Sequence, residues 1–161
     1  VALLAATFMA VGALAYAGYL AFPHVMNALG ISRSDASTAG SAVTQMNASY
    51  GALTSKLNVW QHSMHACQGN LSCVTKQDAK AARYFAAFTS QLSATTVPQS
   101  AVRAQLRLRA DAGAASYGFT QLSGTTNVAD YQSTFASTRL QHTLANFDRD
   151  YAVFVQALLD F

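Results

Sequence analysis

His62, Met64, His65 and Cys67 fall within one short stretch and form the densest group of potential metal ligands in the chain. Three apart on a helix, His62 and His65 share a face, so both imidazoles can reach one ion. A thioether beside them, Met64, suits copper in an oxidising compartment. Each position also has a competing duty. Met64 continues an apolar stripe, Cys67 has a near partner in Cys73, and neither an acidic residue nor a third histidine stands close in sequence. His24 and His142 become donors only if the fold brings them near. The expectation is a chain without a metal or other cofactor, with His62, Met64 and His65 as the candidates if an ion is held.

Cys67 and Cys73 enclose Gln68-Gly69-Asn70-Leu71-Ser72, a segment with the composition of a turn. Outside the cytoplasm a pair this close is expected to be oxidised. Closing so short a loop stabilises by about 2 kcal/mol in the chain-entropy picture. The spacing is not Cys-x-x-Cys and no base flanks it, so the pair reads as a staple on a helix hairpin rather than a redox couple.

Acid–base chemistry has little to stand on. Of seven acidic residues, the grouped ones are Asp148 and Asp150 in Phe147-Asp148-Arg149-Asp150-Tyr151, and two residues apart on a helix they point to different faces. No Gly-x-Ser-x-Gly, phosphate loop or dinucleotide fingerprint occurs, so a non-enzymatic role is expected. The net charge is +3 and the basic residues are dispersed, Arg103, Arg107 and Arg109 being the local cluster. Without interleaved aromatic residues this does not read as a nucleic-acid surface. A mild attraction to anionic head groups or to an acidic partner face is compatible with it.

Residues 1–22 contain no charged side chain, and the first Lys or Arg of the chain is Arg33. At helical rise such a segment reaches roughly 33 Å, against about 30 Å for a bilayer's hydrocarbon core, so it is expected to be a transmembrane helix. Ala15-Tyr16-Ala17 has the small-x-small pattern of a signal-peptide cleavage site, but the apolar run exceeds a usual signal-peptide core. Ala6, Ala10, Ala13, Ala17 and Ala21 recur at steps of four and three, with Gly12 and Gly18 beside them. In lipid a stripe this lean lets another helix approach closely, which predicts an integral membrane partner or self-assembly through this segment.

Beyond a linker over 23–35, residues 36–161 read as an up-down-up-down four-helix bundle, an all-α domain on the extracytoplasmic side of the cell membrane. Val43, Met46, Tyr50, Leu53, Leu57, Trp60 and Met64 alternate steps of three and four, as do Leu140, Leu144, Phe147, Tyr151, Phe154, Leu158 and Phe161. Ala81, Phe85, Phe88 and Leu92 mark a third seam, and Leu108, Ala112, Ala115, Phe119 and Leu122 a fourth. Punctuation agrees: Ser34 or Asp35 to cap the first helix, Thr75 with Asp78 as a capping box for the second, Val97-Pro98 to close it, and Asn127 after Gly124 to cap the last.

The residues around His65-Ala66-Cys67 and Cys73-Val74-Thr75, the alanine-rich helices and Phe147-Asp148-Arg149-Asp150-Tyr151 resemble those of membrane-anchored, extracytoplasmic helical-bundle proteins of actinobacterial type. The resemblance implies a compartment and a fold and no activity. Three roles fit these features. The first is a single-pass accessory subunit, its anchor helix docked on partner helices in the bilayer and its bundle covering their outer face. The second is a pilin-like filament subunit with the apolar helix in the polymer core, against which stands the missing early glutamate. The third is an extracytoplasmic metal-binding or sensor bundle, although residues 151–161 are too short and polar to span a membrane again. The accessory role is favoured.

Overall fold

A computed structural model describes residues 33–160, and the side chains from Ser37 onward. The described chain is helical throughout, with no strand among these residues. Helix α1 spans Arg33–Ala66, α2 Leu71–Ala94, α3 Val102–Ser123, α4 Val128–Thr138 and α5 Leu140–Leu159, and a 3₁₀ turn at Gln99–Ala101 leads into α3. Four of these are long. The last helix expected from the sequence, capped at Asn127, is split in two: a short α4 precedes α5.

Contacts between the helices fix an antiparallel path. Cys67 at the end of α1 joins Cys73 of α2, and Thr95 beyond the end of α2 donates to Met46 Sδ of α1 at 3.4 Å. Ser116 Oγ of α3 donates to the carbonyl of Ala82 in α2, while Gln105 Nε2 reaches the carbonyls of Leu92 and Thr95, both at 2.8 Å. That fork satisfies acceptors at the C-terminus of α2 that the helix leaves open. Tyr151 of α5 donates to Asn47 of α1 at 2.9 Å, which closes the ring of four.

All four seams face inward. Every residue of the α2 and α3 seams is buried, as are Val43 to Trp60 of α1 and Leu140 to Leu158 of α5; Met64 is partly buried against the core, and Phe161 lies outside the described residues. The core is tied by a chain of aromatic contacts that links all four long helices. Trp60 meets Phe119 edge-on at 5.4 Å, Phe119 stacks on Phe85 at 5.8 Å, Phe85 meets Phe147 edge-on at 5.3 Å, and Phe147 meets Phe88 at 5.4 Å. Each such pair adds about 0.5–1.5 kcal/mol beyond area burial.

Local chemistry explains the helix ends. α2 begins earlier than the Thr75–Asp78 pattern implies, because Asn70 caps it by accepting from the Cys73 amide at 3.0 Å. The turn before it passes through left-handed backbone at Gln68 and Gly69, the latter at φ +82°, a conformation glycine adopts without penalty. Asn127 does act as a cap, for α4, through the Asp130 amide at 2.9 Å. Between α4 and α5 stands Arg139 at φ 49°, left-handed without being glycine. The last two elements are therefore separate helices, with Gly118 of α3 leaving room for Leu140 and Thr138 at this corner.

Candidate functional site

The hairpin end of the bundle holds the residues singled out for metal binding. His62 and His65 are exposed near the end of α1, and His62 Nδ1 lies 2.8 Å from the Asn58 carbonyl of its own helix. Met64 turns toward the core. Cys67 is bonded to Cys73, with Cα atoms 5.5 Å apart, so its sulfur is engaged. His142 stands on α5 beside Asn146, and His24 lies outside the described residues. Among the described residues no three His, Cys, Asp or Glu side chains converge closely enough to hold an ion.

Polar chemistry instead concentrates inside the bundle, around Asp78. This carboxyl is 1% exposed and accepts a hydrogen bond from Tyr131 of α4 at 2.9 Å through Oδ2. Its other oxygen is buried without a hydrogen-bond partner, as are Gln77 Oε1 and Trp60 Nε1 at the same end of the bundle. Burial raises the Asp78 pKa from 3.8 to about 7, only partly offset by the tyrosine hydroxyl, and burial with the Asp78 charge raises that of Tyr131. The group therefore exchanges a proton near neutrality behind a helix, α4, that has no buried residue of its own.

A second carboxyl, Asp148, sits between α5 and α1. Burial raises its pKa to about 6 while Tyr50 donates to it over a long 3.5 Å, and Tyr50 stacks on Tyr151 with ring centres 3.7 Å apart. Asp150, two residues on, faces α3: burial and then Asp150 raise the pKa of Asp111, with Arg149 and His142 opposing. Arg149 Nε also pairs with Asp150 at 3.1 Å. As the spacing implied, the two aspartates of this segment work on different faces.

No family model, curated protein or solved structure matches this chain. Its site must be read from its own geometry. Asp78 and Asp148 stand apart on separate faces, and the Asp111–Asp150 pair lies between α3 and α5 beside Arg149, so these carboxyls do not converge on one shared space. A shallow cleft of about 420 Å³ opens between the end of α3 and α4, lined by Thr120, Gln121, Thr126, Asp130, Ser133 and Thr134 among others. It is a polar surface recess without a second carboxylate or a basic group.

Among the described residues no helix is long and apolar enough to cross a membrane. The expected span over 1–22, with Ala6, Ala10, Ala13, Ala17, Ala21, Gly12 and Gly18, lies outside the described residues. Sequence reasoning treated Asp78 as a cap and passed over Tyr131. A signal was available: three residues before Ala81, Asp78 continues the apolar seam backward, and a carboxyl at a seam position is a buried carboxyl.

Proposed function

We propose that this chain is a non-catalytic, single-pass accessory subunit of a membrane protein complex, held by residues 1–22 and presenting its bundle outside the cytoplasm. The observation that carries this reading is the pairing of 22 uncharged residues bearing a small-residue stripe with a stapled, aromatic-filled bundle downstream. A core of Trp60, Phe85, Phe88, Phe119, Phe147 and Phe154, all buried, suits a rigid cover more than a ligand-admitting receptor. The docking energy resides in the anchor, where close packing of lean helices is the available driving force.

Substituting Ala13→Leu or Ala17→Leu tests this directly. Purification in mild detergent from native membranes should show the wild type migrating with integral membrane partners and the variant migrating alone, at unchanged bundle stability. Retention of the partners by both variants would place the docking surface elsewhere, and long homopolymers of this chain would favour the filament.

A further inference from the structure

The outward face of α3 carries an apolar stripe at helical steps, Leu106, Ala110, Gly113 and Tyr117. Leu106 is 54% exposed and Tyr117 64%, so the face is uncovered by the rest of the fold. At 100° per residue, Arg103 and Arg107 flank the stripe on the side of α5 and Arg109 flanks it on the side of α2. All three arginines are exposed, and none makes an ion pair or side-chain hydrogen bond among the described residues. A helix with an apolar stripe bordered by cations on both sides has the layout of an interfacial helix, with long basic side chains reaching up to head groups while the stripe sinks toward the acyl boundary.

Topology places this face beside the expected membrane. Gln105 of α3 bonds the Thr95 carbonyl, and Thr95 bonds Met46 in the first half of α1. The arginines therefore sit at the end of the bundle where α1 begins, the end from which the chain leads back to residues 1–22. The intervening residues 23–32 can span up to roughly 33 Å when extended, enough for the bundle to lie on its side. The flank toward α5 adds Arg149 against Asp111 and Asp150, so the surface as a whole carries four arginines against two aspartates, +2 with both carboxyls ionised.

We propose that the outer face of α3 rests on an anionic lipid surface, with Leu106 and Tyr117 at the acyl boundary and Arg103, Arg107 and Arg109 on phosphate groups. This rests on the reading of residues 1–22 as a membrane span. The bilayer is favoured over an acidic protein partner because the anchor holds it against this same end of the bundle at high local concentration. Each arginine at such a surface favours contact by roughly fivefold.

The test uses the full chain in lipid nanodiscs, either phosphatidylcholine alone or with about one-third phosphatidylglycerol, doped with a gadolinium-chelating lipid and followed by amide NMR. The amides of 103–117 should broaden strongly in the anionic discs, much less in the zwitterionic ones, and recover in about 0.5 M salt. The triple variant Arg103→Gln, Arg107→Gln, Arg109→Gln should lose the broadening while its remaining spectrum stays folded. Broadening centred on another face, equal broadening in both lipids, or none at all in a chain retained by the discs overturns the proposal and leaves the anchor intact. Failure of the chain to enter discs overturns the anchor reading and this proposal with it.

Discussion

Asp78 shows how one residue couples burial to solution conditions. Its folded-state pKa of about 7 stands above the ordinary 3.8, so between those values the folded chain holds a proton that the unfolded chain has released. Stability contributed by this group is complete below about pH 4 and is lost as the pH rises to 7, the reverse of a salt-bridged aspartate. Asp148, raised to about 6, works in the same direction. Denaturant unfolding should therefore give a lower stability at about pH 8 than at about pH 5. Asp78→Asn keeps an acceptor for Tyr131 without the charge, and should flatten that dependence and raise stability at the higher pH by on the order of 2 kcal/mol. Tyr131→Phe should do the opposite, costing about 1–2 kcal/mol by leaving the carboxylate without its donor. Chemical denaturation of the three proteins at both pH values checks all of this.

Asn47-Ala48-Ser49 and Asn70-Leu71-Ser72 match the Asn-x-Ser pattern of glycosylation acceptors, but both asparagine side chains are committed elsewhere. Asn70 caps α2 and Asn47 accepts from Tyr151, so attachment of a glycan at either position would compete with the fold. Asn70→Ala should lower stability by about 1 kcal/mol, read from the same unfolding curves.

At the scale of elements, the corner at Arg139 separates two helices that the sequence reading ran together. A non-glycine residue in left-handed backbone costs about 1–2 kcal/mol, and glycine removes the steric part of that cost. Arg139→Gly should therefore hold or slightly raise the thermal midpoint, whereas Arg139→Val, β-branched at positive φ, should lower stability by about 1–2 kcal/mol. Differential scanning calorimetry of the pair separates this backbone effect from loss of the arginine charge, which both variants share. α4, joined to its neighbours by Arg139 on one side and Gly124–Asn127 on the other, gains its attachment from Tyr131 and from Phe135 packed on the core.

Across the whole molecule, the staple and the aromatic core divide the stabilising work. The disulfide sits at one end and closes a loop of six residues' separation, so its replacement by Cys67→Ser with Cys73→Ser should cost about 2 kcal/mol and lower the midpoint by roughly 5–10 °C. The bundle should remain folded. Phe147, which touches Phe85, Phe88 and Tyr50 from three sides, is a central ring, and Phe147→Ala should cost about 3–5 kcal/mol. Thermal melts under oxidising and reducing conditions rank the two effects.

The amino-acid sequence alone determined the helices and their inward faces, because a 3.6-residue period repeats in every long segment and apolar side chains have one way to leave water. Trp60, Phe85, Phe119 and Leu144 are where the seams put them. The disulfide was also legible, since two cysteines this close in sequence meet wherever a hairpin forms between them. Tertiary structure alone decided the state of the polar residues. Asp78 has a raised pKa because the helices packed around it exclude water, and its hydrogen-bond donor, Tyr131, arrives from a helix 53 residues away. Asp148 and Asp150 part company because Tyr50 approaches one from α1 and Asp111 the other from α3. The break at Arg139 carries no glycine or proline to announce it, and it falls where Leu140 packs against Gly118 of α3. Periodicity is a local property of a chain, whereas the environment of a charge is set by whichever distant segments fold around it.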